Sequence, residues 1–360
     1  MDKKLQKGAG EKVNRLPVQT QPVLTQTQGE EHTQPPTPNN NKLTQNKIDG
    51  MSAFRESIQD LGFSTEAEQI LLSSWRQGTM QQYQTYTSQW FQYCRENKKS
   101  VLSPAVGDVV NFLTELFKKG VGYSALNTAR SALSAFIKLD GVPCGNNTFV
   151  KRFLKGVFQL RPALPKNNVI WDTEIVISFV RNMDVSKLKM LTYKTVILLA
   201  LSTGQRAQSL HSLDIRNITL TEHEVKLRFG EVLKTTRPGH HQCEIVLGKF
   251  SELNLCVAET LKTYLIKTEL LRDNVTQNKL FLSYQKPHTA VSKATISRWI
   301  KVVLVKAGVD MTIFTPHSTR AASASAAFRA NVPVQTILNT AGWSKESTFA
   351  KFYLKPVAKN

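Results

Sequence analysis

A mainly α-helical fold with one small β-hairpin or sheet, an α+β class, is what this 360-residue sequence predicts, on three observations. Apolar side chains recur at three- and four-residue steps through most of the chain, the period of a helix face. Two short runs, EVKLRFG and HQCEIVL, alternate at the two-residue period of a strand and flank a Pro238-Gly239 turn. A stretch with two prolines and little apolar content, RPALPKNN, separates two such blocks, each long enough to bury a core.

The elements follow in order. Residues 1–52 are rich in Gln, Thr, Pro and Asn, with too few apolar side chains to offset the entropy of ordering, so a disordered tail is expected. Residues 53–161 read as a helical domain. Trp75, Met80, Tyr83, Tyr86, Trp90 and Tyr93 form a stripe that suits a core better than a base-stacking surface. A helix is expected from Ser103-Pro104 to about Gly120, another over SALNTARSALSAFIKLDG and another over NTFVKRFLKGVFQLRP. Arg130, Lys138, Lys151, Arg152 and Lys155 fall on outer positions and together could grip a phosphate backbone. Residues 162–168 are the expected linker, and residues 169–360 the second domain. There a helix from Asp172 precedes an apolar one ending at Gly204. The hairpin follows, and helices resume to the C-terminus.

Charge narrows the function. Lys and Arg number 47 against 27 Asp and Glu, a formal net charge of +20 with a pI near 9.8, which favours a polyanionic partner, nucleic acid first. The four cysteines are scattered without metal-ligand or disulfide spacing, and a reducing interior is the default. No apolar stretch follows Met1 as in a signal peptide, and the longest apolar run, VILLAL, is too short to span a bilayer.

The candidates for chemistry are spread along the second domain. Arg206 follows the helix break STGQR, and Lys234 sits at the end of the hairpin's first strand or in its turn. His317 and Arg320 lie three residues apart in TPHSTR, behind a proline suited to a first helical turn. Trp343 lies in AGWSKEST and Tyr353 in AKFYLKP. No Asp, Glu or His cluster shows metal-ligand spacing, so charge at a phosphate would come from fixed cations, for which two planar guanidinium forks suit a phosphorane. A tyrosine hydroxyl can serve as a reversible nucleophile, a lysine as the acid for a departing oxygen, and a histidine as acceptor of the tyrosyl proton. Singly, each residue has an ordinary structural explanation. Their order does not.

RAQSLHSL, LKTTRPG, PHSTR and AGWSKESTFAKFY, in that order, resemble the tyrosine recombinase (phage-integrase) superfamily over about residues 60–355. PHSTRAASASAA…ILNTAGWSKESTFAKFY looks most like recombinases of DIRS-type tyrosine-recombinase retrotransposons. The resemblance implies a helical SAM-like core-binding domain ahead of a catalytic domain. Arg206 and Arg320 would bind the non-bridging phosphate oxygens, and Lys234 would protonate the departing 5′ oxygen. His317 would assist proton transfer, Trp343 would donate its indole N–H, and Tyr353 would form a 3′-phosphotyrosyl link. Of the hairpin's basic residues, Lys226, Arg228 and Arg237 are rivals to Lys234. It further implies double-stranded DNA as partner, a homotetramer on DNA, no cofactor, no metal, no membrane and no small-molecule substrate, with nuclear action on DNA. Two departures stand out. Ser209 occupies a position where the family commonly has an acid, and seven residues after Tyr353 are too few for a long exchanged helix. Site-specific recombination for a mobile element is the expected function. A DNA-binding protein that no longer cuts and a type IB topoisomerase-like enzyme remain the alternatives.

Overall fold

The computed structural model describes residues 50–58, 61–162, 168–234, 236–239, 241–272 and 278–358. They divide into two compact units, the first ending at Pro162. The tail expected over 1–52 lies outside the described residues up to position 49, and the linker expected over 162–168 does so for 163–167.

The first unit holds helices α1 (Gly50–Ile58), α2 (Thr65–Leu72), α3 (Gln77–Asn97), α4 (Val106–Lys118), α5 (Tyr123–Leu133) and α6 (Thr148–Leu160). α1 takes in the last three residues, 50–52, of the stretch expected to be tail. The aromatic stripe on α3 is core: Trp90 is fully enclosed, stacks with Tyr93 and donates its indole N–H to the Val101 carbonyl at 3.0 Å. Trp75 packs edge-on against Phe54 and Tyr83. α4 starts later than Ser103-Pro104 suggests, because the Asp108 carboxylate accepts the Ala105 N–H and fixes the first turn there. The expected third helix stops at Leu133. Its remainder forms a two-residue hairpin, β1 (Lys138–Leu139) against β2 (Val142–Pro143), turned at Asp140-Gly141 with both φ positive. That dipeptide is a strong hairpin signal in its own right. Asn147 caps α6 by accepting the Phe149 N–H.

The second unit is built around α8 (Leu188–Thr203), whose residues are buried on nearly every side, as its strongly apolar run from Val196 to Leu201 suggests. α7 (Thr173–Arg181), α10 (Val257–Thr268), α11 (Lys293–Lys306) and α12 (Ser318–Arg329) contribute to the core around it. α7 and α11 start at side-chain caps, Asp172 and Ser292. Gly204 ends α8 in the left-handed region, and α9 (Ala207–Ser212) follows at once. In place of a two-stranded hairpin there is a three-stranded antiparallel sheet. β3 (Ile218–Leu220) pairs with β4 (Glu224–Leu227), which pairs with β5 (Ile245–Gly248) in the register Val225 to Leu247. HQCEIVL becomes strand only from Ile245, which leaves a long connection after β4. α13 (Val334–Ala341) and α14 (Glu346–Phe352) close the unit over a small cluster of Ala324, Ile337, Leu338, Ala341, Trp343 and Phe349. The chain then returns to the start of the unit, where Val357 bridges Ile170 and the Ala358 N–H donates to the Ile170 carbonyl at 2.7 Å. Among the described residues no helix is long and apolar enough to cross a membrane.

Candidate active site

Two chain breaks define the floor of the site. One is the α8–α9 junction at Gly204-Gln205, and the other is the end of α13 at Thr340–Gly342. The Arg320 guanidinium ties them together, donating through Nη1 to the Gly204 carbonyl at 2.6 Å and through Nη2 to the Ala341 carbonyl at 2.7 Å. Gln205 adds a third tie, its Nε2 donating to the Thr340 carbonyl at 2.6 Å. Gly342 is required where it stands: its φ is +69°, and a Cβ there would lie 2.0 Å from Gln242 Oε1. Gln242 in turn donates to the Asn339 carbonyl at 2.8 Å, pinning the far end of the β4–β5 connection beside the same break.

Arg320 is only 2% exposed, and its Nε has no protein partner. Burial first, then the Arg206 charge, push its pKa down to about 9, against an opposing pull from the Tyr353 phenol. At neutral pH the group is still a cation, held where its charge is unfavourable until an anion arrives. Trp343 covers the guanidinium at 4.2 Å, and the Tyr353 ring lies 5.4 Å from it. The Trp343 and Tyr353 rings are 4.3 Å apart, and the buried Trp343 Nε1 has no protein acceptor. An unpaired buried donor costs about 1–3 kcal/mol, so the Arg320 Nε–H and the neighbouring Trp343 Nε1–H make a site that an oxyanion would stabilise.

Arg206 is half-buried just before α9, as the STGQR break suggests. His317 stands at the entrance of α12, so Pro316 precedes the helix instead of occupying its first turn. The imidazole has an open side, yet partial burial of the ring, followed by the charges of Arg320, Arg206 and Lys234, lowers its pKa. It is therefore neutral at pH 7 and able to take up a proton. A cavity of about 60 Å³ runs between Arg206, His317, Thr319 and Arg320.

Lys234 lies in the β4–β5 connection, well past the end of β4, in a turn closed by Leu233 N–H to Thr236 Oγ1 and Thr236 N–H to the Leu233 carbonyl, both 3.0 Å. Leu233 is buried and Lys234 exposed. Two of the three sequence rivals to Lys234 are held in ion pairs. Lys226 is paired with Glu224 at 3.0 Å, Arg228 with Glu244, and Arg237 is exposed. Ser209 is buried one turn after Arg206, and no carboxylate is among the charges that move the Arg320 or His317 pKa.

All six residues singled out by sequence thus meet in one neighbourhood of the second unit. Sequence reasoning missed Gln205, Gln242 and Ser325, which shape that neighbourhood through contacts between distant segments. Ser325 donates to the Tyr353 carbonyl at 2.6 Å. Among the described residues no group of three or more His, Cys, Asp or Glu could hold a metal ion.

A profile described as the phage integrase family matches residues 174–359, and one described as the phage integrase N-terminal SAM-like domain matches residues 70–139. No curated protein is similar enough to register as a match. Among solved structures, the XerH site-specific recombinase bound to difH substrate before cleavage is 14% identical, with 87% of this chain and 88% of that chain covered at a TM-score of 0.55. The Tn1549 transposon integrase in complex with circular intermediate DNA is 15% identical, with 85% and 95% covered at 0.52. A lambda integrase dimer bound to a COC′ core site is 14% identical, with 86% and 96% covered at 0.51. The family profile covers more than half of the chain and carries the identification: this chain belongs to the phage integrase family and is a tyrosine recombinase.

Proposed function

We propose that the protein cuts and rejoins double-stranded DNA at a defined site through Tyr353, without a metal ion, to integrate or excise a mobile element. The observation that carries this reading is that the charges of Arg206, Lys234 and Arg320 act together on His317, while the Arg320 guanidinium lies against the Trp343 and Tyr353 rings.

In this mechanism Arg206 and Arg320 take the two non-bridging oxygens of one phosphodiester, and the Trp343 N–H donates to the same group. The Tyr353 oxygen attacks phosphorus and passes its proton to neutral His317. The bond from phosphorus to the 5′ oxygen breaks, Lys234 delivers a proton to that oxygen, and a free 5′-hydroxyl leaves. Tyrosine now carries the 3′-phosphate. Attack by a 5′-hydroxyl, from the same or another strand, reverses each transfer and frees the tyrosine. Fixed cations stabilise the charge that develops on the phosphorane, so chelators are expected to leave the reaction intact.

DNA as the partner is supported by the net charge and by a groove of about 240 Å³ in the first unit, lined by Asn127, Arg130, Lys151 and Lys155. Structures of the same fold, including XerH on difH, are complexes with DNA. Exchange between two duplexes needs two cuts on each, hence four subunits. The motif resemblance supports an origin in a DIRS-type retrotransposon, and such an origin implies work in the nucleus.

A duplex nicked close to the cleavage point traps the covalent intermediate. The full-length protein is expected to form a protein–DNA adduct on element-end DNA in the presence of EDTA, and Tyr353→Phe none. Equal adduct from the variant overturns the nucleophile. Relaxation of plasmids lacking element sequence, without exchange, favours a topoisomerase, and salt-sensitive binding with no adduct favours a silent binder.

A further inference from the structure

We infer that Ser325 is a positioning residue for the nucleophile, an assignment that rests on the cleavage chemistry proposed above. Its side chain is completely enclosed, at 0% exposure, in the run AASASAA of α12. A hydroxyl inside a helix is slightly worse than alanine for the helix itself, and burying it is unfavourable unless it is hydrogen-bonded. Both of its bonds go to the segment that carries Tyr353. Oγ donates to the Tyr353 carbonyl at 2.6 Å and accepts the Lys355 N–H at 3.1 Å.

The geometry gives those two bonds a purpose. α14 ends just before Tyr353, whose N–H still donates to the Phe349 carbonyl at 2.9 Å. Beyond that point the helix no longer sets the direction of the chain, and the carbonyl would be an orphan. Ser325 supplies the missing bond from α12. The same helix carries Arg320, whose guanidinium faces the Tyr353 ring at 5.4 Å, and Arg329, whose Nη1 donates to the Lys355 carbonyl at 3.4 Å. Arg320 and Ser325 are five residues apart, about 7.5 Å along the axis at the usual rise. One rigid helix therefore holds the phosphate clamp and, through Ser325, the backbone of the attacking residue. The distance from phenol to phosphorus is set by α12.

The test uses the full-length protein and nicked duplexes with either the natural 5′-oxygen or a bridging 5′-sulfur at the cut. Sulfur leaves without a proton donor, so it separates a misplaced nucleophile from a missing acid. Ser325→Ala is expected to slow adduct formation at least tenfold on both substrates. Ser325→Thr, which keeps the hydroxyl, restores most of the rate. Affinity for DNA stays the same, also when Ser325→Ala is combined with Tyr353→Phe. An alanine variant as fast as the unmodified protein overturns the assignment. So does a defect that sulfur alone relieves, or a loss of rate matched by an equal loss of DNA affinity. Absence of adduct from the unmodified protein removes instead the cleavage chemistry on which the assignment rests.

Discussion

The two sides of the active site are built in opposite ways. On one side Arg320 is sealed under Trp343, bonded to two backbone carbonyls and carried by a helix in the core. On the other, Lys234 is exposed in a turn of the β4–β5 connection, held to the domain by Leu233 beneath it and Gln242 further along. Groups that must hold a phosphate through the whole reaction benefit from preorganisation, because the cost of orienting them is met on folding. A group that must deliver a proton and take it back benefits from freedom to approach. On the proposed chemistry, the free protein would already hold its anion clamp, and the acid would be completed only by the substrate.

Substitutions on the two sides should therefore differ in kind. Arg320→Ala is expected to reduce adduct formation by on the order of 10³-fold or more, the scale of losing a buried transition-state donor. It should also lower stability by about 2 kcal/mol, since the Gly204 and Ala341 carbonyls lose their donor. Kinetics and a denaturant titration read both. Lys234→Ala should reduce the rate by about 10²- to 10⁴-fold on the oxygen substrate but leave stability within about 0.5 kcal/mol, and a 5′-sulfur leaving group should restore it. If sulfur fails to restore it, the acid lies elsewhere.

The next effect is smaller and concerns binding alone. Lys151→Ala combined with Lys155→Ala in the first-unit groove should lower the salt slope of DNA affinity by about 0.9 for each phosphate no longer neutralised, while chemistry on bound DNA stays unchanged. The smallest effect is the titration of His317. Its pKa in the free protein is below the usual 6.5, so the neutral ring should persist to more acidic pH in an NMR titration, and the pKa should rise when inorganic phosphate neutralises the arginines beside it. Between the folded and unfolded values the unfolded chain binds the proton that the folded one refuses, so His317 destabilises the fold as pH falls below about 6.5.

How much of this was legible in the sequence depends on the distance over which each residue acts. Arg206, His317 and Arg320 sit at a helix break and a helix entrance, and Trp343 and Tyr353 close to the ends of α13 and α14, places marked by Gly and Pro and by the order of the motifs. α8 was visible from its strongly apolar run, and α10 and α11 from apolar residues recurring at helical spacing between charged ones. Other parts carried little local signal. β3 is three residues long and ends in the exposed Leu220, too short for alternation to show. Asp140-Gly141 did carry a turn signal, hidden inside a longer helical pattern. Gln205, Gln242 and Ser325 look like ordinary polar residues, because their partners at Thr340, Asn339 and Tyr353 are remote in the chain and meet them only in the fold.

The claim under all of this is that the phenol of Tyr353 takes over the 3′ end of a strand while cations hold the phosphate. Trapped adduct digested with protease and nuclease, then sequenced by mass spectrometry, tests it most directly. One modified peptide is expected, from the segment AKFYLKP, with a nucleotide joined through its 3′-phosphate to Tyr353. A nucleotide on another residue, or one joined through its 5′-phosphate, would contradict it.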